Sequence, residues 1–177
     1  SGPSARVMQI SIEKFTLIGA TTRLGLISRP LRDRFGIPLQ LDFYNPDALK
    51  KIIQNNSFKF GYDIREEATL EIAKRSRGTP RIAIRLLKRI LDFAIVKDKQ
   101  LIDLKLVSDS LDLMRIDSAG LDDMDRKYLG CIINNYSGGP VGIDTLSAAL
   151  LEQRDIIEDV IEPYLMQKGF VQRTPRG

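Results

Sequence analysis

The stretch Arg65–Lys97, REEATLEIAKRSRGTPRIAIRLLKRILDFAIVK, reads as two amphipathic helices broken at one point. Ala68, Leu70, Ile72 and Ala73 mark the apolar face of the first, over about Arg65–Ser76. Ile82, Leu86, Ile90, Phe93 and Ala94 mark that of the second, over about Pro80–Lys97, with Arg85, Lys88 and Arg89 on its outer face. Gly78 suits a helix end and Pro80 the first turn of the next helix. The break places Arg81 near a helix N-terminus, where unpaired backbone N–H groups favour an anion.

Two further helices flank this pair. Asn45-Pro46-Asp47 combines a capping side chain, a first-turn proline and an acid, and starts a helix running to about Lys59 with Leu49, Ile52 and Ile53 inward. Asp103 caps another over about Leu104–Met114. Four short amphipathic helices bury one another as a small bundle. After a linker, Arg115–Gly120, a helix is expected over Leu121–Tyr136 with Met124, Leu129, Ile132 and Ile133 inward. Cys131 reads as a core residue. Ser137-Gly138-Gly139-Pro140 is a strong break. Helices over Gly142–Leu150 and Asp155–Lys168 follow, and Gly169 ends the second. Phe170-Val171-Gln172 then starts an extended segment, and Arg173–Gly177 forms a basic, turn-like tip. Three helices, a strand and a basic tip make a winged helix.

The N-terminal part has a different pattern. Residues 6–12 alternate as a short strand or strand approach. Phe15–Phe35, FTLIGATTRLGLISRPLRDRF, opens with an apolar run fit for a buried strand over 15–20 and stops on Thr21-Thr22-Arg23. Leu24–Leu31 reads as a loop or short helix. Ile37–Phe43 alternates as a second strand, implying a parallel pair with a crossover. So few strands cannot form a stable α/β domain, so this part should expose apolar surface or pair with another copy. The hydroxyls could orient a water, and an arginine of Arg32-Asp33-Arg34 could neutralise developing negative charge. From the spacing alone, strand-end hydrogen bonding and a surface ion pair are the favoured readings.

The chain has 177 residues, of which 43% are hydrophobic and 28% charged, with net charge +4. This is mildly basic and compatible with nucleic acid. One cysteine excludes an internal disulfide, and no histidine is present to serve a usual zinc site or histidine-based catalysis. No apolar run approaches a membrane span. Ser1-Gly2 reads as a cloning remnant.

LIGATTR, PLRDRFGI, Phe43-Tyr44, RSRGTPRIA, GGPVG, IEDVIEPYLMQKGF and QRTPRG occur in this order. Carrying them, the chain resembles the RuvB family, hexameric AAA+ ATPases that drive branch migration of Holliday junctions. The resemblance runs from about Gly2 to Gly177 and matches the C-terminal part of the family protein. Nothing matches GxxxxGK[ST], and no strand ends in a Walker B acidic pair. The implied fold class is mainly α: a remnant of an α/β AAA+ ATPase domain (1–44), a helical lid (45–115) and a winged-helix DNA-binding head (116–177).

The resemblance also implies roles. Thr22, with Thr21 as understudy, corresponds to sensor 1. Arg34 corresponds to the arginine finger acting in trans, with Arg32 as its rival and Asp33 fixing the loop. Tyr44 falls at the nucleotide pocket, although ordinary packing at a domain junction accounts for it as well. Arg81 corresponds to sensor 2, and Ile84 stands where the family commonly has asparagine. Arg154, Arg173 and Arg176 are the DNA-binding candidates, against a reading as solvated surface charges. No metal ligand is expected in this chain. ATP and magnesium would serve the full-length protein, and neither is expected to bind this piece alone. The implied partners are duplex DNA of a Holliday junction, other subunits of a homohexamer, RuvA through a region outside this chain, and RuvC in the larger complex. The implied setting is recombinational DNA repair and the SOS response in the bacterial cytoplasm. The alternatives are a winged-helix regulator, which needs no arginine finger, and another AAA+ clamp-loader or initiator subunit, whose third domain is usually a helical collar.

Overall fold

The computed structural model describes residues 12–175 and divides the chain into two units at Leu41/Asp42. In the first unit, a 3-10 turn, Leu24–Leu26, precedes one turn of helix, α1 (Arg29–Arg32), with Pro30 in its first turn. The strand expected over 6–12 lies almost wholly outside the described residues. Those expected over 15–20 and 37–43 do not form, because neither segment has a ladder partner among the described residues. An alternating pattern makes a strand only where a neighbouring backbone takes its N–H and C=O groups. Ile18, Leu39 and Leu41 are over four-fifths exposed, which agrees with the expected apolar surface.

The second unit begins with the helical bundle. α2 (Pro46–Lys59) is capped by Asn45, whose side-chain oxygen accepts the Ala48 N–H at 2.8 Å. α3 (Glu66–Arg75), α4 (Pro80–Val96) and α5 (Leu104–Leu113) follow, with Asp103 accepting the Leu106 N–H at 2.8 Å as the cap of α5. α2 and α5 each pack on both α3 and α4. The core holds Leu49, Ile53, Ile72, Leu87, Ile90 and Leu106. Two short strands close one side as a parallel pair, β1 (Asp63–Ile64) on β2 (Leu101–Ile102). At two residues each, they are too short to leave a periodic signal.

The head is built on α6 (Asp123–Tyr136) and α7 (Ile143–Leu150). The third helix is interrupted rather than continuous: α8 (Arg154–Ile156), a π-helical turn (Ile157–Ile161) and α9 (Glu162–Gln167). Pro163 explains the wide turn, since its ring would clash with the carbonyl four residues back in a regular helix. Phe170–Gln172 pairs with no other strand among the described residues. The core contains Leu146, Ile157, Ile161, Leu165 and Cys131. Ile133 corrects the expectation for α6, because it is 61% exposed while Asp125 and Tyr128 are buried. The inward face is turned by the partners these polar groups find, described below.

Candidate nucleotide and nucleic-acid sites

In the first unit, Thr22 lies exposed at a bend and makes no hydrogen bond with a described residue. Thr21 is the structural hydroxyl, its Oγ1 accepting the Arg23 N–H at 3.0 Å. Arg32 and Arg34 are exposed, and neither forms an ion pair with a described residue. Asp33 holds neither of them. It lies 3.8 Å from Arg29, one helical turn back.

The lid loop brings Tyr44 and Arg81 onto one local framework. Tyr44 donates its N–H to the Gly78 carbonyl at 2.8 Å, three residues before Arg81. Gly78 is required there: its φ is +66°, and a Cβ would lie 2.8 Å from Phe43 Cβ. Arg81 is exposed in the first turn of α4 and forms no ion pair with a described residue. The N-cap Thr79 side chain does not cap α4, because its hydroxyl donates to the Arg77 carbonyl at 3.2 Å instead. The first N–H groups of α4 are therefore without a side-chain cap and, beside the Arg81 guanidinium, suit a phosphate. Among the described residues, no group of three or more His, Cys, Asp or Glu side chains is placed to hold a metal ion. This loop thus offers an anion the Arg81 guanidinium and the N–H groups of the first turn of α4.

In the head, Arg154 and Arg173 open onto one groove and share a carboxylate. Glu158 lies 3.3 Å from Arg154 Nε and 3.3 Å from Arg173 Nη2. Arg154 also faces Asp144 at 3.5 Å. Arg173 is held more firmly, since its Nε and Nη2 donate to Glu162 Oε2 at 2.9 and 2.5 Å. Glu162 is buried, and its Oε1 accepts the Tyr128 hydroxyl at 2.9 Å. Burial, reinforced by Glu162, drives the Tyr128 hydroxyl pKa far up, and the hydrogen bond Arg173 donates to Glu162 raises that of Arg173. Arg173 is thus a structural cation with its outer edge in the groove. Arg176 lies outside the described residues.

A third set of charges was not legible in the sequence. Arg75, itself buried, donates to Glu71 at 2.9 and 2.6 Å and to the Ile116 carbonyl at 2.8 Å. Arg77 donates to the Gly120 carbonyl at 2.9 Å, to Asp122 at 3.0 Å and to the buried Asp125. Burial pushes the Asp125 carboxyl above the ordinary carboxylate range, against the pull of the Asp122 N–H and Arg77. Apart from Arg75–Glu71, one helical turn apart, these pairs join residues more than forty positions apart. Local periodicity carries no signal for them, and the only hint was an acidic run, Asp122-Asp123-Met124-Asp125.

Three family models match the chain: the Holliday junction DNA helicase RuvB P-loop domain over 1–41, the RuvB AAA lid domain over 44–117, and the RuvB C-terminal winged helix domain over 118–177. A Holliday junction branch migration complex subunit RuvB of Rickettsia africae (strain ESF-5) is 56% identical over 176 residues, 99% of this chain and 52% of that protein. The chain therefore spans about half the length of that curated relative. The Thermotoga maritima RuvB Holliday junction branch migration motor superposes with TM-score 0.83 at 50% identity, over 86% of this chain and 51% of its own. A point variant of the same Thermotoga protein superposes at 0.89 and 51% identity, over 95% of this chain and 56% of its own. With an exposed arginine at the head of α4, a helical bundle fused to a winged-helix head, and matches along its length, the chain belongs to the RuvB family.

Proposed function

We propose that this chain is part of an ATP-driven motor subunit that moves the branch point of Holliday junctions, working as a hexameric ring on duplex DNA. The observation that carries the reading is the 56% identity to a branch migration subunit over nearly the whole chain. In this reading, residues 1–44 belong to the large ATPase domain, 45–115 are the lid and 116–177 the DNA-binding head. RuvA and RuvC are its partners in the larger complex, and the setting is the bacterial cytoplasm. No helix among the described residues is long and apolar enough to cross a membrane.

ATP supplies the phosphoryl group whose transfer to water drives the cycle. Arg81 binds phosphate from the lid of its own subunit, and Tyr44 lines the pocket at the hinge. Thr22 orients the attacking water. Arg34 enters a neighbouring subunit's site and neutralises charge developing in the transition state, a contribution of about 10³–10⁵ in rate. Magnesium is held by residues outside this chain. Arg154, Arg173 and Arg176 meet the DNA backbone, which gives grip without sequence preference.

The test is ATP-dependent conversion of a synthetic four-way junction into duplex products by the full-length protein with RuvA. The expected result is conversion that stops on Arg81→Ala. A wild-type protein that hydrolyses ATP but leaves the junction unmoved would refute the reading.

A further inference from the structure

Arg77 is the residue through which the loop carrying Arg81 is bonded to the head. Its backbone has φ +53°, a left-handed conformation that costs a side-chain-bearing residue about 1–2 kcal/mol. Its side chain is engaged through Nε, Nη2 and the guanidinium face. Nε donates to the Gly120 carbonyl, Nη2 to Asp122 and Asp125, and the guanidinium lies 4.9 Å over the Tyr164 ring. Asp125 also accepts the Asp122 N–H at 2.9 Å in the capping box of α6. Tyr164 in α9 donates its hydroxyl to the Ala119 carbonyl at 2.5 Å. One arginine therefore grips the start of α6, the 119–120 linker and α9 together.

The loop keeps separate anchors within the lid. Gly78 accepts the Tyr44 N–H, Ser76 accepts the Thr79 N–H at 2.9 Å, and Thr79 accepts the Ala83 N–H at 3.0 Å. Among the described residues, no other member of 77–81 makes a hydrogen bond or ion pair to the head. Arg81 is held in place without Arg77, and Arg77 supplies the bond from that loop to the head. A forked guanidinium on a buried carboxylate holds a fixed geometry, unlike an exposed ion pair.

We propose that Arg77 is a positioning residue that makes loop 77–81 and the winged-helix head one mechanical piece, passing movement of Arg81 on nucleotide turnover to the DNA. This rests on the reading of Arg81 as a nucleotide contact. The experiment uses full-length protein carrying Arg77→Lys, or the double change Arg77→Gln with Asp125→Asn, which leaves no buried charge unpaired. The readouts are DNA-free ATP hydrolysis, base pairs migrated per ATP, and thermal melting. DNA-free hydrolysis should stay within about twofold of wild type, because Arg81 keeps its own anchors within the lid. Base pairs per ATP should fall by about fivefold or more, the lower end of typical coupling between sites. An unchanged ratio overturns the proposal. So does a parallel loss of hydrolysis and migration, which marks a purely structural residue. If one variant fails to melt cooperatively, the other decides. Arg81→Ala run alongside separates the two readings: if it leaves ATP binding and hydrolysis intact, the nucleotide reading falls and the proposal with it.

Discussion

Arg173→Ala should destabilise the head before it says anything about DNA. The Glu162 side chain is 7% exposed, and its Oε2 is held by two donors, both from Arg173. Stripping the partner from a fully buried ion pair costs about 3–5 kcal/mol. Here the Arg173 side chain is 53% exposed and faces the groove, so water reaches Oε2 once the guanidinium is gone. Tyr128 still serves Oε1. The discounted cost is about 1–3 kcal/mol, which lowers the melting temperature by roughly 3–10 °C for a chain of this size. Glu162→Gln alone leaves a half-exposed cation that water solvates, and should cost under about 1 kcal/mol. The double variant should recover at least half of the Arg173→Ala loss, since no buried charge remains. The assay is thermal and urea denaturation followed by far-ultraviolet circular dichroism. An Arg173→Ala protein melting within about 1 °C of wild type would refute the reasoning. A double variant weaker than the sum of the singles would do the same.

Other expectations follow from the same geometry. Gly78→Ala, at φ +66° and with Cβ forced to 2.8 Å from Phe43, should cost at least about 1–2 kcal/mol in urea denaturation from the backbone alone, and no loss would mean that the loop relaxes freely. The chain should bind duplex DNA weakly, with log K falling against log salt at a slope near about −3 for three phosphates. Anisotropy on two unrelated duplexes checks this, and a preference above about a hundredfold would favour a regulator. The Leu106 N–H holds the Asp103 carboxyl below its ordinary 3.8, the Arg126 hydrogen bond does so for Asp123, and Lys50 holds Glu66 below its ordinary 4.5. Depressed carboxylates stabilise the fold above their unfolded values and lose that contribution as pH falls through the folded ones. The contribution of these three groups is therefore full above pH 4.5 and lost below 3.8, opposite in sign to that of the raised Asp125 carboxyl; Asp103→Asn should flatten the acid-side fall in melting temperature, and an unchanged fall would contradict the sign.

The lid was readable because its determinants are local. Asn45 and Asp103 cap the helices that follow them, and the apolar period of α3 and α4 matches their buried faces, except that Thr69 is buried in α3 where Leu70 was expected. The break at Gly78 and the position of Arg81 at the head of α4 were equally legible. Failures arose where distant partners decide. The apolar run at 15–20 and the alternating run at 37–43 needed partner strands, and none lies beside them among the described residues. Ile133 lost its inward place because Arg77 and Asp122 satisfy Asp125, and Glu162 satisfies Tyr128, so polar groups occupy the buried face of α6. Arg173 carried two readings, surface cation or DNA contact, and the carboxylate that engages it is eleven residues away across the head.

The most direct test of the motor account mixes subunits. Full-length Arg34→Ala is mixed with full-length Arg81→Ala, and ATP hydrolysis is measured against the mixing ratio at constant total protein. Because Arg34 would serve a neighbour's site, an Arg34→Ala subunit keeps an intact pocket and an Arg81→Ala subunit keeps an intact finger. Each variant alone should fail to turn ATP over, Arg34→Ala should still bind it, and mixed rings should regain hydrolysis. Mixtures as inactive as either variant alone, together with lost ATP affinity in Arg34→Ala, would contradict the reading.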